Sequence, residues 1–448
     1  MNFTEEGSFQ FLGFFDFFSI FLWFIILFLF VSTTYSNNKT KSYFRYYKNA
    51  FYVKFFSAII FSIIYIINYQ GGDSTAYWDS AQKLNNLFWD SPTKYFHEMF
   101  SMNPLRMRYD SFDLETGLPP NWIYKEDEAW FAAKVFSLLS FLTFKSYFAM
   151  TMITAYVSFR VSWMLYEMIL RYGLFKERIA AIGSLFIPST CFWCTGITKD
   201  MIIYSCVIYL FIQFIGFFDS NLTKQKRNWL LIVSSVFLII NIRDFMLLSA
   251  IGPFFMAIGS RWSSRQKSTF SKIFIQFLFI SMIFFLLITF LGSEKGAEFT
   301  KEAEVIQNDL KTNESYGENR YDLGINDFSA LGMIRAMPIS IFTAFYRPFV
   351  WEPGSLFIKI SALEALFFLF LTIRLIFSGN FLKSFSDIRN HEMLMASLVF
   401  SLILGFFAGY TSGLFGVLVR FKAPLLPFLF LVLMYKKENE LPKLESKS

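Results

Sequence analysis

Long apolar runs are the feature that most constrains this chain. Stretches of about 20 apolar residues, the length that crosses a bilayer as a helix, recur from Phe11–Val31 to residues 418–435. They are continuous, which excludes the alternating pattern of a transmembrane β-barrel. Hydrophobic residues make up 55% of the 448 residues, more than a soluble protein of this length can bury. The sequence therefore predicts an all-α fold, a polytopic bundle of transmembrane helices.

The basic residues predict how the helices are oriented. They are concentrated in short loops between apolar runs, such as residues 35–54 and 171–178, as the positive-inside rule expects of cytoplasmic loops. Placing these loops inside gives about eleven spans, with the N-terminus outside and the C-terminus inside. Residues 1–448 then form a single integral-membrane domain with long outer segments at about 70–146 and 292–353.

Two outer stretches are apolar but too short or too interrupted for a simple span. Trp130–Phe144 is broken by Lys134, and we expect it to lie in the membrane interface or to dip part-way into the bilayer. Residues 331–353 are interrupted by Arg and Pro residues. They fit a broken or re-entrant segment, which a membrane tolerates where the backbone lines a cavity.

The remaining composition excludes several classes of protein. The net charge is +7, but the loops account for the basic residues, so we expect no nucleic-acid partner. Three Cys and two His are too few for a disulfide framework or a His-based metal site. Cys191 and Cys194 form a C-x-x-C pair in an apolar segment, where small packing residues are the simpler interpretation.

Phe11–Val31 follows acidic residues and lacks signal-peptide features, so it is kept as a spanning helix.

Residues 70–78, Gln-Gly-Gly-Asp-Ser-Thr-Ala-Tyr-Trp, carry the first candidate site. Two glycines allow a sharp turn where the chain leaves the bilayer. Asp73 then lies at the water boundary, with Tyr77 and Trp78 at the headgroup depth that aromatic residues prefer. A carboxylate in this place suits chemistry on a lipid-borne substrate. A plain loop acid in a glycine turn is the simpler explanation of this stretch taken alone.

Other ionisable residues collect on the same outer side. A charged side chain at the centre of a membrane helix costs roughly 2.5–3.5 kcal/mol, and such residues commonly mark function. The predicted topology brings seven more of them to the outer ends of helices: Lys199 and Asp200, Arg243 and Asp244, Arg347 and Glu352, and Arg420. If the bundle closes, we expect these groups to share one outward-facing cavity with Asp73.

This set of charges suits a lipid-linked phosphate. Arg binds phosphate through two parallel bonds and Lys adds a point charge. One acid is then left to accept a proton from an attacking hydroxyl. Each feature also has a purely structural explanation: a helix cap at Lys199–Asp200, a neutralised turn at Arg243–Asp244, and headgroup contacts from Arg347 and Arg420.

Three short motifs, in this order along the chain, resemble the GT-C class of integral-membrane glycosyltransferases. They are an outer-loop acid after an early helix (Gly72-Asp73 with Tyr77), a Ser/Thr-Gly-x-x-Lys-Asp/Glu junction (residues 195–200) and an Arg-x-x-x-Pro-x-x-Pro helix start (residues 420–427). The chain is similar as well to polytopic polysaccharide polymerases of the EpsG/Wzy type. It departs from the GT-C class in lacking a clear Asp-Glu pair in the first outer loop, and no large soluble C-terminal domain is predicted.

The resemblance implies a reaction and a role for each residue. The donor would be a sugar or glycan linked to a polyprenyl phosphate or pyrophosphate, bound from the periplasmic side, and the acceptor a glycan or lipid. Asp73 would be the catalytic base. The substrate-binding residues would be Tyr77, Lys199, Asp200, Arg243, Asp244, Arg347, Glu352 and Arg420.

We therefore expect a membrane glycosyltransferase or polysaccharide polymerase, multi-pass in a bacterial cytoplasmic (inner) membrane. No cofactor is expected. A divalent metal stays open, although no clear pair of acids in the sequence supports it. Two other classes stay open. A transporter or flippase of lipid-linked glycans needs ionisable residues at mid-depth and on both halves of the membrane. A non-catalytic membrane scaffold predicts that Asp73→Asn has no effect.

Overall fold

The computed structural model describes residues 13–69, 71–100, 111–217, 228–312, 320–325, 327–379 and 381–436. Within these residues the regular elements are helices, apart from an isolated antiparallel bridge between Arg320 and Leu414. The predicted all-α fold is therefore confirmed for this part of the chain.

The first ten α-helices are α1 Phe14–Asn38, α2 Tyr47–Ile67, α3 Asp73–Asp90, α4 Pro92–Phe100, α5 Asn121–Lys125, α6 Asp127–Leu142, α7 Tyr147–Tyr172, α8 Glu177–Leu185, α9 Pro188–Trp193 and α10 Lys199–Ile215. The next ten are α11 Trp229–Ile242, α12 Met246–Ser264, α13 Thr269–Leu291, α14 Glu294–Thr312, α15 Ala330–Tyr346, α16 Leu356–Ile376, α17 Phe381–Asn390, α18 Glu392–Thr411, α19 Phe415–Phe421 and α20 Leu426–Met434. Short 3₁₀ helices cover Ser42–Tyr46 and Ala423–Leu425.

Seven helical segments are long and apolar enough to cross a membrane: α1, Ser42–Ile67, α7, α13, α16, α18, and Phe415–Met434. The apolar parts of α11 and α15 are shorter. These segments support the predicted membrane protein. The count of about eleven spans, and the orientation of the chain in the membrane, stay predictions.

Some helices end at other residues than the sequence predicts, and one of these differences is explained by a proline. A single helix is expected over about residues 179–194, and the structure has two, α8 and α9. The break falls before Pro188, because a proline disfavours the helical conformation of the residue that precedes it. Within residues 331–353, α15 continues through Arg335 and Pro338 to Tyr346, and a turn then leads into α16. The helix is therefore broken only at Arg347, and a re-entrant segment stays a prediction.

The chain divides into two compact units. Unit 1 consists of Met1–Trp163, Cys191–Cys206 and Phe237–Asp244, and unit 2 of Met164–Thr190, Val207–Val236 and Phe245–Ser448. The single domain predicted from the sequence stays a prediction.

Unit 1 is held together by aromatic packing between α2 and α7. The ring of Tyr47 lies 4.7 Å from that of Trp163, and the ring of Phe51 lies 5.6 Å from that of Phe159. α3 packs against α6, where Tyr77 contacts Phe136. α1 is mostly exposed, as is expected of a helix that faces lipid.

α18 is the central helix of unit 2. It packs against α12, α15 and α20, and most of its length is buried. The contact with α15 is close because Gly409 has no side chain: a Cβ at this position would overlap the backbone of Ser340. Small residues allow membrane helices to approach in this way, which strengthens the dispersion contacts between them.

Gly409→Val is therefore expected to push α15 and α18 apart. Overpacking of this kind costs about 1–3 kcal/mol, so the melting temperature of the detergent-solubilised protein should fall by several degrees. Gly416→Ala is the matched control, because a Cβ at Gly416 meets no atom within 4 Å. An equal effect of the two substitutions would contradict the close helix contact.

Candidate functional site

Asp73 is the first residue of α3 and follows a turn that requires glycine. Gly71 and Gly72 have φ values of 129° and 112°, which residues with a side chain rarely adopt. The start of α3 is tied to the start of α7 by a hydrogen bond, since the hydroxyls of Ser74 and Tyr147 lie 2.8 Å apart. Asp73 itself is partly buried. The sequence predicts this turn correctly.

Tyr77 does not line an open surface. Its side chain is buried, and its ring lies 5.9 Å from that of Phe136 in α6. Trp78 is buried as well, and its indole Nε1 donates to the Lys145 carbonyl at 2.7 Å. These two aromatic residues therefore hold α3 against α6 and against the loop before α7. A substrate contact from Tyr77 stays a prediction.

The junction before α10 is fixed by hydroxyl groups. Thr195 Oγ1 donates to the carbonyls of Cys191 and Phe192 at 3.1 and 3.0 Å, and Thr154 Oγ1 of α7 donates to the Thr195 carbonyl at 2.9 Å. Thr198 Oγ1 accepts from the Met201 amide at 3.2 Å. This N-cap bond explains why α10 begins at Lys199.

A chain of contacts along α2 connects the Asp73 turn with this junction. A Cβ built at Gly72 would lie 3.4 Å from the Tyr65 ring. The Tyr65 ring lies 4.4 Å from that of Phe61, and Phe61 lies directly against Gly196, where a Cβ has no room. Asp73 and the Lys199–Asp200 pair therefore lie at the same end of unit 1.

Arg243 completes this end through a buried ion pair. Its Nη1 donates to Asp200 Oδ1 at 2.9 Å, and the two side chains are only 8% and 3% exposed. Arg243 directly follows α11, so the pair ties the end of α11 to the beginning of α10. The partly buried Asp244 comes next in the chain.

Lys199 forms a second and different pair. Its Nζ contacts Glu126, and Glu128 Oε2 lies 3.6 Å away. The glutamates are 48% and 44% exposed, so this pair is open to solvent. These two acids lie at the start of α6 and were not predicted from the sequence as site residues. We name the set Asp73, Glu126, Glu128, Lys199, Asp200 and Arg243 the unit 1 charge cluster.

Unit 2 contains its own cluster around Arg347. Arg347 Nε donates to Glu352 Oε1 at 2.8 Å, and Nη2 contacts the same oxygen. The Phe349 amide donates to Glu352 Oε2 at 2.6 Å. The guanidinium lies 4.6 Å from the ring centroid of Tyr321 and 5.4 Å from that of Phe415. Burial raises the pKa of the Tyr321 phenol, so the ring stays neutral beneath the cation.

The turn after α15 also receives two lysines that the sequence analysis did not select. Lys422 is 1% exposed, and its Nζ donates to the Arg347 carbonyl at 2.6 Å. Lys359 Nζ donates to the carbonyls of Val350 and Glu352 at 3.3 and 3.0 Å. Arg420, which the sequence analysis selected, is partly buried two residues before Lys422. We name Arg347, Glu352, Lys359 and Lys422 the Arg347 turn.

Two further ionisable groups inside helices were not predicted as site residues. The sequence assigns Lys54 to the basic loop 35–54. The structure places it inside α2, where Nζ donates to Ser158 Oγ at 3.0 Å and lies 4.8 Å from the Tyr204 ring centroid. Glu364 lies inside the apolar run of α16, and its Oε2 accepts from the Ser189 amide at 2.9 Å. A lone acid within a span is itself a signal for function.

The predicted site residues thus fall into two groups. In unit 1 Arg243 pairs with Asp200, and Asp73 and Lys199 lie at the same end of that unit. In unit 2 Arg347 pairs with Glu352. The single cavity expected for all of them stays a prediction. Among the residues that the structure describes, no group of three or more His, Cys, Asp and Glu side chains is placed to hold a metal ion.

The chain matches no protein-family model, and no curated protein or solved structure is significantly similar to it.

The two ion pairs of unit 1 should differ strongly in their effect on stability. Arg243→Ala leaves Asp200 buried without its partner, which costs about 3–5 kcal/mol. Lys199→Ala leaves Glu126 and Glu128 at 48% and 44% exposure, where water hydrates them without the lysine, so the loss costs about 0–1 kcal/mol. Thermal unfolding of the two detergent-solubilised variants measures the difference.

A double substitution controls for the size of the lost side chain. Asp200→Leu with Arg243→Met replaces the buried pair by apolar groups, and it should recover most of the stability that Arg243→Ala loses. If Lys199→Ala destabilised the protein as much as Arg243→Ala, the distinction between the two pairs would be wrong.

Proposed function

We propose that this protein is a membrane glycosyltransferase or polysaccharide polymerase of a bacterial inner membrane. It moves a sugar or glycan from a polyprenyl phosphate or pyrophosphate to an acceptor hydroxyl at the periplasmic face. The observation that carries the proposal is the unit 1 charge cluster, in which the carboxylate of Asp73 lies at the same end as Lys199, Asp200 and Arg243.

Asp73 takes the role of general base in this proposal. The acceptor oxygen attacks the anomeric carbon of the donor sugar while the bond from that carbon to the phosphate oxygen breaks. The phosphate leaves with the bonding electrons, and the hydroxyl proton moves to the Asp73 carboxylate. The position of Asp73 after the glycine turn supports this role, because the start of α3 fixes the backbone from which the carboxylate extends.

Lys199 is the cation of unit 1 that is best suited to the carrier phosphate. Its present partners, Glu126 and Glu128, are solvent-exposed, and exposed pairs of this kind are weak enough for a phosphate to replace. Arg243 has the opposite character, since its pair with Asp200 is buried. We assign Arg243 and Asp200 to holding the start of α10 in place, and Lys199 to phosphate binding.

The Arg347 turn of unit 2 suits a phosphate by itself. Glu352 occupies the Nε edge of the Arg347 guanidinium. Lys359 and Lys422 donate to carbonyl oxygens in the same turn, and Lys422 also interacts with the Glu364 carboxylate. The three cations exceed these two carboxylates by one charge, which suits an anionic ligand.

One observation favours the alternative of a lipid-linked-glycan transporter. Lys54, Glu364 and Lys422 are ionisable groups inside candidate membrane spans, where such residues often line transport pathways. The two functions predict different sensitive residues. An enzyme depends on Asp73, whereas a transporter depends on the groups inside the spans.

Asp73→Asn should abolish surface glycan when it replaces the native protein in the organism that encodes it. Loss of a general base lowers the rate about 10²- to 10⁴-fold, and the glycan is measured by gel electrophoresis of the surface polysaccharide. Asp90→Asn, at the exposed end of the same helix, is the matched control and should give normal glycan.

The comparison with Glu364→Gln separates the two functions. Normal glycan in Asp73→Asn at normal protein level rules out the proposed chemistry. If Glu364→Gln then abolishes the glycan, the transporter is supported. Normal glycan in both variants points to a non-catalytic scaffold.

Arg347→Lys tests the phosphate role of the turn in unit 2. Lysine keeps the charge but cannot bind Glu352 and a phosphate through a planar fork, so we expect glycan to fall about tenfold. Arg374→Lys, an exposed arginine of α16, should have no effect. Equal glycan levels in the two variants would remove Arg347 from the proposal.

A further inference from the structure

α4 and the end of α3 carry an aromatic face that is exposed among the residues that the structure describes. Trp89, Phe96 and Phe100 are 74%, 51% and 83% exposed. Phe96 and Phe100 are four residues apart, so they lie on one side of α4. The other side of α4 is packed: Tyr95 is buried, and its hydroxyl lies 3.3 Å from Ser137 Oγ of α6.

The end of α6 exposes a second apolar surface, and this one touches α1. Leu138, Leu142 and Phe144 are exposed. The Phe144 ring lies 6.1 Å from that of Phe18, and the indole Nε1 of Trp23 donates to the Leu142 carbonyl at 3.0 Å. α1 is a candidate span with little of its surface buried, so this surface is continuous with one that faces lipid.

The contacts with α1 also give the depth. Ser19 Oγ donates to the Thr143 carbonyl at 2.7 Å, and Ser19 is the sixth residue of α1. With a rise of about 1.5 Å per residue, Ser19 lies about 8 Å along the helix axis from Phe14, the first residue of α1. Helices that lie in the membrane plane are buried by about 5–10 Å. The end of α6 therefore lies at interface depth.

Ring contacts join the two apolar surfaces. The Phe88 ring of α3 lies 6.2 Å from that of Phe96 and 5.1 Å from that of Phe141. The Tyr95 ring lies 5.9 Å from the Phe141 ring. α3, α4 and α6 are thus one packed layer, and α4 adds an exposed cation at Lys94, which suits a lipid phosphate.

We propose that α3, α4 and α6 lie in the plane of the membrane, seated in the headgroup–acyl boundary of the leaflet at the N-terminal end of α1. The partner is the lipid surface, which covers Trp89, Phe96, Phe100, Leu138, Leu142 and Phe144. This inference does not depend on the proposed glycosyl transfer. It places Asp73, the first residue of α3, in the layer that meets the lipid headgroups.

Single introduced cysteines test the proposal in the full chain. The native Cys191, Cys194 and Cys206 are buried, so a maleimide fluorophore reacts with an exposed introduced cysteine in preference to them. Phe96→Cys, Phe100→Cys and Leu138→Cys probe the layer. Glu115→Cys, in an exposed acidic turn, is the water control, and Phe21→Cys, on the exposed face of α1, is the lipid control.

The labelled proteins are reconstituted in vesicles of phosphatidylcholine and phosphatidylglycerol that carry a nitroxide near the headgroup or near the chain end. The three probes should be quenched at least about twofold more than Glu115→Cys, and more by the shallow nitroxide than by the deep one. Phe21→Cys should be quenched in the same vesicles.

Quenching of the probes no stronger than that of Glu115→Cys, with Phe21→Cys quenched, overturns the proposal. Stronger quenching by the deep nitroxide overturns it as well, because the layer would then enter the bilayer core. Two variants on α4 and one on α6 guard against a misfolded protein, and each is accepted only if it elutes as a single species. Surface glycan is not part of the readout, so failure here leaves the proposed reaction untouched.

Discussion

The buried pair between Asp200 and Arg243 is the interaction on which the candidate site depends. Two charges taken out of water are tolerated only when each satisfies the other, and the geometry at 2.9 Å provides this. The two residues are more than forty positions apart in the chain, and their pair joins the start of α10 to the end of α11. Lys199, at the first position of α10, is thereby held in place while its own partners remain exposed.

The two charge clusters differ in the balance of their charges. The unit 1 charge cluster has more carboxylates than cations, whereas the Arg347 turn has more cations than carboxylates even when Glu364 beside Lys422 is counted. A base for a hydroxyl proton fits the first environment, and an anion fits the second. Each cluster lies within its own unit, and the contrast between them comes from the contacts rather than from the motifs.

The sequence predicts the helices well and the partners of the charged residues poorly. Apolar length decides where α1, α7 and α18 lie, because a membrane helix must satisfy its own backbone. The glycine turn before Asp73 and the N-terminus of α10 follow from local residue types. Glu126 and Glu128 were not found as partners of Lys199, because they lie about seventy residues earlier in a stretch rich in other acids. Lys54 was assigned to the basic loop because it follows several basic residues in the sequence, whereas the structure begins α2 at Tyr47 and buries Lys54 two turns into the helix.

Lys54 has a consequence for biogenesis. Its hydrogen-bond partner Ser158 follows 104 residues later in the chain, and Tyr204 follows later still. A ribosome therefore delivers α2 to the insertion machinery long before either partner is synthesised, and a lone ammonium inside a nascent span is poorly retained in lipid. We therefore expect α2 to be held more firmly in the membrane once α7 and α10 supply these two partners.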